Sequence, residues 1–274
     1  MIEQMRYTNH VNESLEFGTG SLFVNESDLH NFAWSVTSKN DRISGFRKGI
    51  VSKTIPIILK CNTEAEGIAL RNKLFEVCEK DILAVKHGKL IIGDYYLKCY
   101  VTESKKSNYL LNDGYMTISV KISTDFPYWI KESTTKFGYG GETGGGTSLD
   151  FNRDFPYDYS SNMLDTELNN TGFVPTNFLM RIYGACKSPC VTIGGHNYEV
   201  AVDIEANEFL TIDSTNKTIL LTGEGGATRN CFNLRNKDSY IFEKIPVGMS
   251  AVARNGDFKF DVVLLEERSE PKWT

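Results

Sequence analysis

The sequence predicts a mainly β protein with two domains, on three observations. A glycine-rich run at residues 138–146 divides the 274 residues into halves that are each long enough to bury a core. Short apolar and β-branched runs separated by turn residues recur in both halves, and one segment has helical periodicity. We therefore predict an N-terminal domain at 1–131, a glycine-rich linker at 132–149 and a C-terminal domain at 150–274.

The first half begins with short strands. Residues 14–17, 22–24 and 32–36 have strand-like patterns, the last with alternating large and small side chains. Residues 54–59 form an apolar, β-branched strand in which Pro56 cannot donate to a ladder, which places this strand at an edge or Pro56 at a strand start. Between them lies a predicted polar loop, made of Asn40, Asp41, Arg42, Ile43, Ser44 and Gly45.

One helix is predicted after residue 62. Thr63 with Glu66 three residues later is the pattern of a capping box. The apolar positions that follow recur at helical spacing: Leu70, Leu74, Val77 and Cys78. The helix is expected to lie on a sheet by its Leu70/Leu74 stripe.

Two strands follow the helix as a hairpin. Residues 90–92 and 95–97 flank Gly93-Asp94, a turn pair with glycine in the first position. The half then closes on a strand at residues 115–122, whose apolar residues fall on one face: Met116, Ile118, Val120 and Ile122.

The second half is a succession of predicted strands without helical periodicity. After a strand at 179–183, strands at 191–193 and 198–204 flank Gly194-Gly195, and strands at 209–212 and 218–221 flank a polar turn. Strands at 250–254 and 257–264 flank Asn255-Gly256, the strongest hairpin signal in the chain. Many short strands at regular spacing predict a β-sandwich or jelly roll.

Composition excludes several classes of function. The net charge of −5 gives no basic surface for phosphate binding, so nucleic acid is not an expected direct ligand. No segment has the length and hydrophobicity of a membrane span or a signal peptide, so we expect no membrane insertion and a cytosol-like compartment.

The sequence offers few groups for catalysis or metal binding. Cys186 and Cys190 could pair or begin a metal site, but Cys231 and His196 are the available further ligands, and the cysteines are interpreted as buried free thiols. The other histidines, His10, His30 and His87, stand in no nucleophile or metal motif and are interpreted as surface or turn residues.

The sequence contains two further groups of candidate residues. Asp203 and Glu205 lie two residues apart on one strand face, as an acid pair could, but Val202 and Ile204 would then face the core and leave the acids in water. A carbohydrate-binding sandwich remains the alternative function, with tyrosines in place of a tryptophan platform: Tyr157, Tyr159, Tyr183, Tyr198 and Tyr240.

Strand-and-turn motifs in both halves resemble one family. Residues 178–184, 189–198, 210–214, 241–248 and 266–273 resemble the C-terminal domain of siphophage distal tail (Dit) proteins. Trp34 followed by residues 42–45, the single helix, and residues 125–129 are similar to the N-terminal domain of the same family. The resemblance covers nearly the whole chain.

The resemblance implies a fold and a function. The N-terminal split β-barrel domains would form a homo-hexameric ring that continues the tail tube, with the loop from Asn40 to Gly45 as candidate contact. Galectin-like C-terminal β-sandwich (jelly roll) domains would project from it. Its partners would be the major tail tube protein, a tail-associated tip protein and receptor-binding proteins, and DNA would pass through the ring without specific binding. No enzyme activity, cofactor or metal is implied, and the protein would reside at the virion tail tip after assembly in the host cytoplasm.

Overall fold

The structure is a computed structural model that describes residues 4–18, 20–24, 27–110, 115–139 and 166–272. The chain divides into two compact units: Met1–Lys131 with Glu267–Thr274, and Glu132–Glu266. Both are built mainly from antiparallel strands, as predicted. The strands and helix of the first unit are β1 (Met5–Thr8), β2 (Ser14–Phe17), β3 (Leu22–Val24), β4 (Ser35–Lys39), β5 (Arg42–Arg47), β6 (Val51–Lys60), α1 (Glu64–Ala84), β7 (Gly88–Ile92), β8 (Tyr95–Leu110), β9 (Tyr115–Thr124) and the start of β10 (Trp129–Phe137).

The long strand β8 gives the first unit its split-barrel architecture. Its first part pairs with β7, which continues through β1 to β2, and with the start of β10. Its later part pairs with β9, which continues through β6 to β3. Two sheets therefore share one strand, and the core lies between them and α1.

The helix α1 begins as predicted from its capping residue. Thr63 Oγ1 accepts the Glu66 backbone N–H at 3.2 Å, and Glu66 Oε2 accepts the backbone N–H of Asn62 at 3.0 Å. Such a cap stabilises a helix by about 1 kcal/mol. Leu74, Val77 and Cys78 are buried and Leu70 packs against the same core, which confirms the predicted stripe.

Most predicted strands of the first unit are confirmed. Gly93-Asp94 joins β7 to β8 with Gly93 at φ +54°, and the predicted apolar face of β9 is buried. Pro56 lies inside β6, where it pairs with Ser119 of β9; within the described residues β3 pairs with Ile57–Leu59 alone, so the missing N–H at Pro56 interrupts no β3 pairing.

Two predictions for residues 32–47 are wrong. The strand predicted at 32–36 begins only at Ser35. Trp34, just before it, packs its ring against the side-chain amine of Lys48 instead of continuing the strand. The predicted polar loop is a hairpin: Asn40 and Asp41 form the turn, and Arg42–Gly45 belong to β5.

The second unit is a two-sheet sandwich, as predicted. One sheet has the order β19-β18-β17-β12-β21 and continues to the end of β10; the other has the order β11-β20-β14-β15. Their facing residues form one core, in which Phe137 stacks on Phe260 with ring centroids 4.7 Å apart. The elements are β11 (Glu167–Asn170), β12 (Asn177–Tyr183), β13 (Cys186–Lys187), β14 (Cys190–Ile193), β15 (His196–Glu199), β16 (Asp203–Ile204), β17 (Phe209–Asp213), β18 (Thr218–Thr222), β19 (Thr228–Asn230), a 3-10 turn (Phe232–Leu234), β20 (Gly248–Arg254) and β21 (Phe260–Arg268).

The hairpins at Gly194-Gly195 and at residues 213–217 are confirmed. The strand predicted at 198–204 is divided into β15 and β16, because Val200 between them pairs with Arg235 instead.

The hairpin predicted at Asn255-Gly256 is wrong. The strand before it, β20, pairs with β11 and β14, whereas β21 after it pairs with β12 in the other sheet. Neither Asn255 nor Gly256 has a positive φ. Asn255 instead exchanges hydrogen bonds with Cys190: its N–H donates to the carbonyl of Cys190 at 3.1 Å, and its Oδ1 accepts the Cys190 N–H at 2.9 Å. The pair therefore carries the chain from one sheet to the other.

The predicted linker is only partly described. Residues 132–137 are the second part of β10, and residues 140–149, with most of the glycine run, lie outside the described residues. The remaining domain boundaries stay predictions.

Candidate functional site

The predicted ring-contact residues lie in a two-stranded ribbon formed by β4 and β5. The two strands pair with each other and, within the described residues, with no other strand. Lys39 and Arg42 face each other across the turn of Asn40 and Asp41, which have φ of 51° and 58°. Positive φ at both central residues gives a turn whose twist matches that of the flanking strands, and asparagine and aspartate accept it at low cost. We name residues 34–47 the arm.

A bulge in β5 decides which side chains share a face of the arm. Val36 faces Phe46, but beyond Thr37 the register shifts by one residue and Ser38 faces Ile43. The extra residue is Ser44, whose Oγ donates to the Thr37 carbonyl at 3.1 Å. Since residues directly opposite each other share a face, the bulge brings Ile43 to the same face as Phe46.

The arm is therefore amphipathic. Its apolar face carries Val36 at 55% exposure, Ile43 at 63% and Phe46 at 61%, and Trp34 makes an edge contact with Phe46 at 6.5 Å. The opposite face is polar and carries Ser35, Thr37, Lys39, Arg42 and Arg47. A lone two-stranded ribbon is marginally stable in water, and large exposed apolar patches mark interaction sites, so this face is suited to a protein partner.

Lys48 fixes the base of the arm. Its Nζ lies 4.7 Å from the Trp34 ring centre and 4.4 Å from that of Tyr128, and it donates to the Pro127 carbonyl at 3.2 Å and to Ser269 Oγ at 2.8 Å. Cation–π contacts of this kind stabilise by about 0.5–2 kcal/mol each. Burial, and then repulsion by Lys53, lowers the pKa of Lys48 to about 8.

Lys53 of β6 holds the segment that leads into the arm. Its Nζ donates to the carbonyls of Asp28 at 2.7 Å and Leu29 at 3.0 Å, and also to that of Asn31. Burial lowers the pKa of Lys53. The two lysines thus anchor the entry and the exit of an otherwise exposed ribbon.

The structure brings the six predicted contact residues to the outer end of the arm, in unequal roles. Asn40 and Asp41 form the turn, Arg42 lies on the polar face and Ile43 on the apolar face, Ser44 is the bulge and Gly45 faces Thr37. The predicted contact residues did not include Val36, which lies in the partner strand β4, or Phe46, because the alternation that would reveal Phe46 is broken at Ser44. Their contact role stays a prediction.

The acid pair and the cysteines form no catalytic or metal site in the described residues. Asp203 and Glu205 are exposed while Val202 and Ile204 are buried, as expected for solvated acids. The six cysteines are free thiols, and among the described residues no three metal-binding side chains converge. No helix in the described part of the chain is long and apolar enough to cross a membrane.

His10 lies in a turn, as predicted, and it also contacts a buried carboxylate. Its Nδ1 lies 2.6 Å from Asp81 Oδ1, which also accepts the His10 backbone N–H at 2.8 Å, and Tyr7 Oη donates to Asp81 Oδ2 at 2.5 Å. Asp81 is fully buried, and burial raises the pKa of Tyr7. Because the Asp81 carboxylate is buried among these partners, the cluster has a structural role: it joins β1 and the turn after it to α1.

The tyrosines considered for carbohydrate stacking are dispersed. Tyr198 is buried and donates to the Glu243 carbonyl at 2.9 Å, Tyr183 donates to Asp261 Oδ2 at 2.8 Å, and Tyr240 is exposed. Tyr157 and Tyr159 lie outside the described residues. These positions supply no shared stacking platform among the described tyrosines.

No protein-family model matches the chain, and no curated protein matches its sequence. Solved structures match its fold. The Dit protein of phage SPP1, a paradigm of the hub adsorption apparatus in phages that infect Gram-positive bacteria, superposes with a TM-score of 0.59 over 98% of this chain and 100% of its own, at 11% identity. A chain of the phage p2 baseplate, in its activated conformation with Ca, gives a TM-score of 0.64 over 99% of this chain and 100% of its own, at 12% identity. A chain of the same baseplate with Sr gives a TM-score of 0.62 over 99% of this chain and 100% of its own, at 14% identity. The chain therefore has the fold of these tail and baseplate proteins.

Proposed function

We propose that this chain is the distal tail hub of a siphophage or prophage. In this role it forms a homo-hexameric ring that joins the tail tube to the tail tip and docks adsorption proteins. The observation that carries the proposal is the fold shared with the Dit protein of phage SPP1 over 98% of this chain and the whole of that protein.

The arm supports a ring. A cyclic ring needs a heterologous interface, in which one surface of a subunit meets a different surface of the next. The apolar face around Ile43 and Phe46 is exposed and unpaired with another sheet in the described residues, so it supplies one of the two surfaces. The residues from Asn40 to Gly45 form its outer end.

The proposed partners are the next copy of the chain, the major tail tube protein, a tail-associated tip protein and receptor-binding proteins. DNA passes through the ring, and a net charge of −5 supports passage without tight phosphate binding. The protein resides at the virion tail tip and has no catalytic activity. Carbohydrate binding by the second unit is the competing function.

Light scattering and negative-stain microscopy of the purified full-length chain test the proposal. We expect particles of six subunits with six-fold symmetry, at high concentration or on added tail tubes. Val36→Asp places a charge on the apolar face and should abolish the rings, whereas Ser35→Asp, one residue away on the polar face, should retain them. A wild-type chain that stays monomeric under both conditions, or that binds glycans on an array, would contradict the hub.

A further inference from the structure

The helix α1 has a second apolar stripe besides the buried one. Ile68 is 43% exposed and Phe75 is 60% exposed. Seven residues are just under two helical turns, so the two side chains lie one above the other, and the half-buried Ile82 continues the line. The stripe of Ile68, Phe75 and Ile82 lies beside the face that α1 packs on the core.

The stripe and the arm are two different exposed apolar surfaces of the same unit. Neither covers the other within one copy, since Phe75 on one and Phe46 on the other are both about 60% exposed. A head-to-tail interface requires two different exposed apolar surfaces on one chain, because the first surface of one copy can then cover the second surface of the next.

Charge favours pairing the arm with the stripe. Between residues 35 and 47 the arm carries Lys39, Arg42 and Arg47 against one acid, Asp41. The stripe is flanked on α1 by Glu64, Arg71 and Glu79, so the charge beside it is −1, opposite in sign to that of the arm. An arm meeting a second arm would bring like charges together at the rim, whereas an arm on α1 brings opposite charges together.

The apolar face of the arm is long enough to cover part of the stripe. It runs from Trp34 to Ser38, which lies opposite Ile43, or about 13 Å at 3.3 Å per residue. Ile68 and Phe75 are seven residues apart on α1, or about 10 Å at 1.5 Å per residue. The arm can therefore cover Ile68 and Phe75 together, while Ile82 lies beyond its reach.

We infer that the arm of one copy docks its apolar face on the α1 stripe of the next copy. Phe46 and Ile43 of the arm cover Phe75 and Ile68 of the neighbour, and Arg42 approaches the acids of α1. The inference rests on the proposed function, because it assigns the second surface of the proposed ring.

A mixing experiment with two full-length variants tests the docking. Phe46→Asp disables the arm and leaves the stripe intact, while Phe75→Asp disables the stripe and leaves the arm intact. Each variant alone should be monomeric, with self-association weakened about 30-fold or more, as for loss of a central interface residue. Mixed at equal concentration they share one intact interface, so light scattering should show dimers of one copy of each and nothing larger.

Ser35→Asp and Lys73→Asp are the controls, because they place an aspartate on the polar face of the arm and on the other side of α1; Lys73→Asp changes the charge by two units and is the more severe control. Both should form wild-type rings, and circular dichroism should show that all four variants are folded.

The outcomes separate the two proposals. Rings from Phe75→Asp, or a mixture that stays monomeric while the wild type forms rings, would overturn the docking and leave the hub intact. A wild type that never associates would overturn both.

Discussion

Asp81 shows how one buried carboxylate can organise a whole corner of the first unit. It accepts hydrogen bonds from Tyr7 Oη and the backbone N–H of His10, and it lies against His10 Nδ1. These partners are more than 70 residues away in sequence, so the contact closes a long loop between β1 and the end of α1. No local pattern in the sequence indicates such a partnership.

Asp81→Asn should lower the free energy of unfolding by about 2–4 kcal/mol, because the amide turns a donor toward groups that donate and leaves buried polar atoms unsatisfied. Urea denaturation followed by circular dichroism measures it. Asp94→Asn is the control: Asp94 is exposed and pairs with Lys131 at 2.8 Å, so its loss should cost less than about 1 kcal/mol. Equal losses of unfolding free energy for the two variants would show that the buried Asp81 cluster contributes no more to stability than an exposed ion pair.

Lys48 should give the protein a pH-dependent term in its stability. Its pKa is lowered to about 8 in the folded chain, so between pH 8 and the ordinary lysine pKa the unfolded chain holds more protons. The cost of burying the charge is fully present below pH 8 and disappears as pH rises through that window. Lys48→Met carries no such cost at any pH.

The unfolding free energy of the wild type, minus that of Lys48→Met, should therefore increase from pH 7.5 to pH 10. Parallel urea titrations at the two pH values measure the difference. A difference that stays constant or falls with pH would mean that the rings and acceptors around Nζ hold the lysine charged throughout.

At the scale of elements, the end of α1 contains a residue in an unfavourable conformation. Val85 follows the helix with φ 52° and ψ 40°, and its N–H donates to the carbonyls of Asp81 and Ile82. The left-handed region suits glycine, whereas a β-branched residue there costs about 1–2 kcal/mol. Val85 is exposed, so its side chain contributes little packing in return.

Val85→Gly should raise the unfolding free energy by about 1 kcal/mol and the melting temperature by a few degrees. Val11→Gly, at another exposed valine but one without a positive φ, should lower both. Differential scanning calorimetry compares them. Stabilisation by both changes, or by neither, would show that the strain at Val85 is not what limits this helix end.

Elements whose signals are local were predicted well. The cap at Thr63, the apolar stripe of α1 and the turns at Gly93-Asp94 and Gly194-Gly195 each depend on a few consecutive residues. The connection at Asn255-Gly256 was predicted wrongly, because its geometry is decided by hydrogen bonds between Asn255 and Cys190, which begins β14. Which strands pair is a property of the sheet, and a turn dipeptide carries no information about it.

At the scale of the whole chain, the segment predicted as a contact loop has a different form in the structure, and its contact role stays a prediction. Residues 40–45 lie at the outer end of the arm, yet a single bulge at Ser44 converts a polar stretch into a ribbon with one apolar face. The lysines that anchor the ribbon also escaped prediction, since the partners of Lys48 include Pro127 and Ser269. Long-range contacts of this kind follow from the fold and not from spacing.

The contact between Lys48 and Ser269 has a consequence for the order in which the protein matures. Domains generally fold from the N-terminus as the ribosome releases them, but Ser269 belongs to the first unit and is synthesised after the entire second unit. The anchor of the arm is therefore completed only after the second unit has been synthesised. A nascent chain that has not yet reached Ser269 carries an arm without this hydrogen bond, so the first unit cannot finish folding before the second unit has been made.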